Sequence, residues 1–157
     1  MTAVLGYIGT SGNSLDINSG YSGTSLLTTN SGENTYIIET IGDLRLFTVS
    51  TAAGKTAFIS APAGRILNGN PGGNNVLSGK TWLFASGDIG EGGNQLQTTV
   101  GNIKGQSTTG SVWVLNLGPL TVGGVPGATG QGVVAGGGVT VTTQSPLIVS
   151  EPVTAET

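Results

Sequence analysis

The chain has 157 residues, of which 29 are Gly and only 8% are charged, with a net charge of −3 and neither His nor Cys. A chain of this length holds one domain with a real core. Without His or Cys the Ser-His-Asp triad, the Cys-His pair and the usual zinc sites are closed, and five Lys and Arg supply no basic stripe for nucleic acid or an anionic membrane.

High Gly with few charges suits a disordered tract as well as an ordered one. The apolar residues decide between them. Taken in chain order, Tyr36-Ile-Ile, Leu44-Arg-Leu-Phe-Thr-Val, Ala57-Phe-Ile, Val112-Trp-Val-Leu and Val139-Thr-Val-Thr-Thr are short clusters bounded by Gly, Asn, Ser or Pro. Such clusters read as strands. No stretch shows capped helical spacing, and no apolar run approaches the 18 or so residues of a membrane span. Met1-Thr-Ala-Val-Leu-Gly lacks the basic start and apolar run of a secretory signal. The expectation is therefore a cytoplasmic chain or a piece of a longer exported one, and the repeat favours the second.

The repeat is the strongest feature. Gly6-Tyr-Ile-Gly-Thr-Ser-Gly-Asn-Ser-Leu returns as Gly87-Asp-Ile-Gly-Glu-Gly-Gly-Asn-Gln-Leu, at an offset of 81 (87 minus 6). The echo continues with small slips: Gly42 and Leu44 return as Gly118 and Leu120, and Thr56 and Pro62 as Thr140 and Pro146. A shorter echo sets Gly54-Lys-Thr against Gly79-Lys-Thr, 25 residues on. Long-period self-similarity in a Gly-rich chain predicts an all-β solenoid of about six to eight coils of roughly 20 residues. It divides a single 1–157 domain into two long units, about 6–86 and 87–157. Gly and Asn supply the corners because they tolerate positive φ. A two-layer sandwich is the competing architecture, and it predicts no such echo.

The corner Gly-x-Ile-Gly-x-x-Gly-Asn-x-Leu is followed by strand strings such as Gly101-Asn-Ile-Lys-Gly and Gly137-Gly-Val-Thr-Val-Thr-Thr. Together they resemble the repeats of large secreted bacterial exoproteins, similar to filamentous haemagglutinin and other autotransporter-like adhesins. The resemblance covers most of the chain apart from the tract from Gly123 to Gly132. It implies a right-handed parallel β-helix exported to the cell surface, working as a stalk or adhesive fibre. No functional residue is carried over from it.

Candidate chemistry is sparse. Asp88 and Glu91 bracket one corner and are the carboxylates to consider for sugar cleavage or calcium; the plain alternative is solvated turn residues. The two Gly-Lys-Thr strings lack the first Gly of a phosphate loop and the helix it needs. They read instead as one coil corner met twice, with Lys55 and Lys80 exposed. Gly130-Gln-Gly-Val-Val-Ala fits a dinucleotide fingerprint by letters only. Trp82 and Trp113 belong to the core, unless Leu83 and Val112/Val114 face inward. In that case alternation turns both Trp outward, as candidates for a glycan or protein contact.

The expected function is a structural or adhesive β-helix fibre segment at the bacterial surface or outside the cell, without catalysis or cofactor. The alternatives are a filament subunit that stacks end to end through its strand edges, and a carbohydrate-binding or carbohydrate-cleaving β-helix. A glycan or protein receptor is the expected partner, with no nucleic acid and no membrane insertion.

Overall fold

The computed structural model describes residues 1–20 and 24–156, and its elements are strands joined by turns and bends. β1 (Thr2–Ala3) and β2 (Leu15–Ile17) open the chain. The following passes carry β3 (Leu27–Ser31) with β4 (Thr35–Glu39), β5 (Leu44–Thr51) with β6 (Thr56–Ala61), and β7 (Ile66–Asn68) with β8 (Val76–Ala85). Then come β9 (Leu96–Ser107), the trio β10 (Val112–Asn116), β11 (Leu120–Val122) and β12 (Val133–Ala135), and the final trio β13 (Val139–Thr143), β14 (Leu147–Val149) and β15 (Val153–Ala155). Every pairing between these strands is parallel. They form one fifteen-stranded sheet wound into a β-solenoid of about six turns. A sandwich would be antiparallel; this sheet is not. The five strings read as strands all lie within β4, β5, β6, β10 and β13.

The strands stack in three ranks. The first holds β2, β4, β6, the later halves of β8 and β9, then β11 with β12 and β14 with β15. The second holds the start of β5, then β7, residues 96–98 of β9, β10 and β13, with Ile89 bridging Ile66 and Val112. The third holds β1, β3, the end of β5 and the early halves of β8 and β9. Coil length is most often 22 residues: Leu15 pairs with Ile37, Ile37 with Ile59, and Leu44 with Ile66.

Alternation turns every second side chain inward. Ile37, Ile59 and Leu83 stack in the first rank, Leu44, Ile66, Ile89 and Val112 in the second, and Val49 and Val76 in the third, all at 1% exposure or less. Each such burial contributes about 1.5–3 kcal/mol. Most polar side chains inside are hydrogen-bonded, as burial demands, with Thr29 Oγ1 an exception. Thr81 Oγ1 donates to the Ala57 carbonyl (3.0 Å). Asn116 Oδ1 accepts from Thr98 Oγ1 (2.8 Å) and the Val100 N–H (3.0 Å).

The repeated Ile-Gly-x-x-Gly-Asn-x-Leu string is not a corner of the coil but an excursion in the middle of a face. Ile8 pairs with Thr35 and Leu15 with Ile37, so the residues from Gly9 to Ser14 stand where the next coil has Tyr36 alone. Gly9 (φ 66°) and Gly90 (φ 73°) turn the chain outward. A Cβ at either would fall within 2.4 Å of a carbonyl oxygen, Tyr36 above Gly9 and Trp113 above Gly90. Only glycine fits there. Each excursion is closed by a reciprocal backbone pair, Thr10 with Asn13 and Glu91 with Asn94.

The echoed strings therefore share a conformation but not a rank. Ile8 stands in the first rank and Ile89 in the second; Leu44 is in the second and Leu120 in the first. All ranks face one core, so a string that turns its apolar residues inward serves in any of them. The shorter echo is a true stack: Gly79 lies directly on Gly54, close enough that a Cβ would meet its backbone at 2.6 Å.

Asn75 ties three coils together. Its amide donates to the Leu46 carbonyl (2.8 Å) and Asn68 Oδ1 (2.9 Å), and its oxygen accepts the Gln97 N–H (2.8 Å). Asn75→Ala should lower unfolding free energy by about 2–4 kcal/mol in denaturant titration, since a buried N–H loses its partner and a cavity remains. The exposed Thr99→Ala should stay within about 0.5 kcal/mol.

Candidate functional site

Because Ile37, Ile59 and Leu83 point into the core, the residues beside them point out. Register then places Tyr36 beside Phe58, Phe58 beside Trp82 and Trp82 beside Lys104, one per coil. Tyr36 and Phe58 stack with centroids 4.6 Å apart and planes 5° from parallel. Between Phe58 and Trp82 the row opens, at 6.3 Å and 52°, and Trp82 lies 5.9 Å from Phe84, which is two residues along the same strand. Pairs of this kind add about 0.5–1.5 kcal/mol beyond their buried area.

Two loops bound the row. The excursion from Gly9 to Ser14 stands at its Tyr36 end, and the loop from Gly123 to Gly132 departs between β11 and β12 at the other. That second loop folds back across the coils until Gly127 lies over the outer tip of Phe58, where a Cβ would be 3.7 Å from Cζ. Its base is fastened. Asn102 Nδ2 donates to the Gly123 carbonyl (2.9 Å), and the Gly124 N–H donates to Glu151 Oε1 (2.8 Å). Glu151 also pairs with the buried Lys104, Nζ to Oε2 at 3.0 Å. The Gly124 N–H first, and Lys104 second, hold the Glu151 carboxyl below its ordinary range.

Between the loops lies a half-open groove of about 550 Å³, a volume typical of ligand sites. Tyr36, Phe58 and Trp82 form its floor, and Ser11, Ser14, Ser60 and Thr129 stand among its rim. Among the described residues no charged side chain lines it. Among the described residues the hydroxyls of those four make no hydrogen bond within the chain.

The core placement of the two Trp residues is overturned. Leu83, Val112 and Val114 are at 1% exposure or less, which turns Trp82 and Trp113 outward, each half-buried. The structure does not bring the two together. Trp113 stands in the second rank against the other excursion, 3.8 Å from where a Cβ at Gly92 would be, in a smaller groove with Pro71, Gln97 and Leu115.

The two carboxylates singled out from sequence both hold the coil in shape. Asp88 Oδ1 accepts the Ser111 N–H of the next coil (2.7 Å). Glu91 takes Arg65 Nη1 at 2.9 Å, while Arg65 Nη2 reaches Asp43 at 2.6 Å. Arg65 holds the Asp43 carboxyl below its ordinary range. These groups are about a third exposed, so each pair adds at most about 1 kcal/mol. Among the described residues no three acidic side chains gather as a metal site.

Lys55 and Lys80 are half-buried rather than exposed, and Lys55 pairs with Glu33. Neither Gly-Lys-Thr string meets a helix; both run into first-rank strands. The dinucleotide look-alike lies in the end of the Gly123–Gly132 loop and the whole of β12.

Sequence reasoning missed Tyr36, Phe58 and the covering loop. Register with Trp82 was the missing signal for the rings, and the loop's departure from the repeat was the available one. Comparison with protein-family models, with curated proteins and with solved structures finds no match for this chain.

A lowered carboxyl contributes its stabilisation above the ordinary carboxylate pKa and loses it as pH falls through the lowered value. In a Trp113→Phe chain, which leaves Trp82 as the sole indole, emission should hold steady from neutral pH down through the ordinary carboxylate range. It should change only below that range, as Glu151 takes up its proton and releases the loop. Glu151→Gln should show the changed emission at neutral pH already, with the acid step gone.

Proposed function

We propose that this chain is a structural and adhesive β-solenoid segment of a bacterial surface or secreted protein, extending a fibre and presenting its outward aromatic row, with no turnover of its own. The observation that supports it most is the state of the two ends. β13, β14 and β15 each pair on one edge only, and so do β1 and β2. At the β14–β15 end Leu147, Val149 and Val153 are 43–55% exposed although their partners Leu120, Val122 and Val133 are buried. At the other end Val4 and Leu5 are 74% and 94% exposed. Open parallel edges with apolar side chains recruit another strand.

A further coil covers such an end, either of the same polypeptide or of another copy. Stacking between copies is the second reading, and the same open edges favour it. A cleaving enzyme is not favoured: Asp88 and Glu91 hold a turn and an arginine instead of converging on a groove.

Sedimentation and electron microscopy over a dilution series test this. The expected result is concentration-dependent assembly into rods with an axial repeat of roughly 30 Å, from about six coils at about 4.8 Å each. Val149→Lys, which sets a charge on the open edge, should abolish assembly while leaving the strand signal in circular dichroism intact. A monodisperse monomer at all concentrations, with β13–β15 amides slow to exchange, would overturn the reading, because that end would then need no cover.

A further inference from the structure

We propose that the groove over Tyr36, Phe58 and Trp82 binds a neutral oligosaccharide lying along the solenoid axis. The inference deepens the adhesive half of the function proposed above by naming its ligand class. Three features of the groove select that class together.

The floor is apolar and aromatic, and it is elongated along the axis because its rings come one per coil. A coil step of about 4.8 Å is close to the length of one pyranose ring, so successive sugars meet successive coils. A sugar offers C–H faces that pack on a free aromatic face. Tyr36 and Phe58 are stacked on each other with planes 5° apart, so that face is offered where the row opens at Trp82, whose plane diverges from that of Phe58 by 52°. Trp and Tyr are also the side chains that combine a large apolar body with a polar tip.

The rim supplies hydroxyls that the fold does not use. Ser11, Ser14, Ser60 and Thr129 come from the excursion, from β6 and from the covering loop, and converge on one groove. Tyr36 Oη accepts from Asn34 Nδ2 at 3.3 Å, a long bond that leaves its own proton to give. A ligand with hydroxyls around its edge answers such a rim. An acyl chain would leave these groups without partners.

The charge pattern removes the remaining classes. Among the described residues no charged side chain lines the groove. Lys104, next along the row, is buried and held by Glu151, and Lys80, which pairs with the groove residue Thr56, is not part of the lining. A nucleotide, an acidic sugar or an anionic headgroup finds no countercharge among the lining residues. A peptide would want an open strand edge, but β4, β6 and β8 are paired on both sides beneath the groove.

The test uses the Trp113→Phe chain, titrated with linear hexasaccharides of glucose, of mannose and of N-acetylglucosamine, with oligogalacturonate and decanoate as comparators. Trp82 emission and calorimetry are the readouts. At least one neutral series should bind with a Kd on the order of 0.1–1 mM, as a short ligand in a half-open groove does. Trp82→Ala, followed by calorimetry in the otherwise natural chain, should weaken that binding at least about tenfold, and Trp82→Phe should keep part of it. A thermal melt checks that both variants keep the fold.

The proposal is overturned if no neutral series binds up to roughly 10 mM. It is also overturned if folded Trp82→Ala binds as well as the parent, or if oligogalacturonate or decanoate binds more tightly than every neutral sugar. Assembly is read separately by sedimentation. A chain that binds sugar without stacking fails the fibre reading alone, and one that stacks without binding fails this one alone.

Discussion

The parallel ladder between coils is the constraint on which everything else in this molecule depends. A strand in the middle of the stack gives one edge to the coil before it and the other to the coil after it, so neither edge is free to vary. Coils must then stay in step, near 22 residues, and side chains of like orientation must lie one above another. A charge in such a column meets a like charge about 4.8 Å away unless its neighbours carry the opposite sign. That is how Asp43, Arg65 and Glu91 are arranged, alternating in sign along the stack. The low charge content of the chain is a consequence of this geometry.

Variation has to leave the ladder to occur at all. Gly9 and Gly90 turn the chain outward at points where one residue of the neighbouring coil fills the same position, and the ladder resumes six residues later as if uninterrupted. The Gly123–Gly132 loop does the same on a larger scale, leaving after Val122 and returning at Val133, both of them buried. The core never registers these departures. Outward aromatic residues gather beside them: Tyr36 over the first excursion, Trp113 over the second, and Phe58 under the long loop.

The sequence carried the fold well because strand, turn and inward-facing residue are local properties. The β-branched clusters between Gly, Asn and Pro became strands, and the two Gly-Lys-Thr strings lie on adjacent coils with Gly79 over Gly54, the first leaving a turn and the second running inside β8. What could not be read was register. The echo of Gly6–Leu15 in Gly87–Leu96 is conspicuous, yet the two strings occupy different ranks, because an inward Ile and an inward Leu suit any face of a common core. The aromatic row is the opposite case. Tyr36, Phe58 and Trp82 share no motif and lie 22 and 24 residues apart, so only the pairing of coils brings them together. The fully buried Glu39, which accepts the Ser19 N–H on both carboxylate oxygens, was equally hidden. Its partner lies one coil back, and nothing local marks a carboxylate for burial.

The ladder and the groove obey opposite rules of extent, and that difference bears on how the proposed fibre would adhere. The ladder has no natural stopping point, since each added coil restores the edge that the last one covered. The groove does stop: the excursion at Gly9–Ser14 closes one end and the loop at Gly123–Gly132 covers the other, so the proposed site has a fixed length. Chains stacked end to end would therefore repeat the groove once per chain, roughly every 30 Å by the coil spacing. Individual sites of modest affinity are then enough. Once one groove of a fibre is occupied, its neighbours face the same polymeric ligand at high effective concentration, and avidity rises by about 10²–10⁴ without any new contact. On the fibre proposed above, a neutral, half-open groove too weak to anchor anything by itself would gain its holding strength from repetition along the stack.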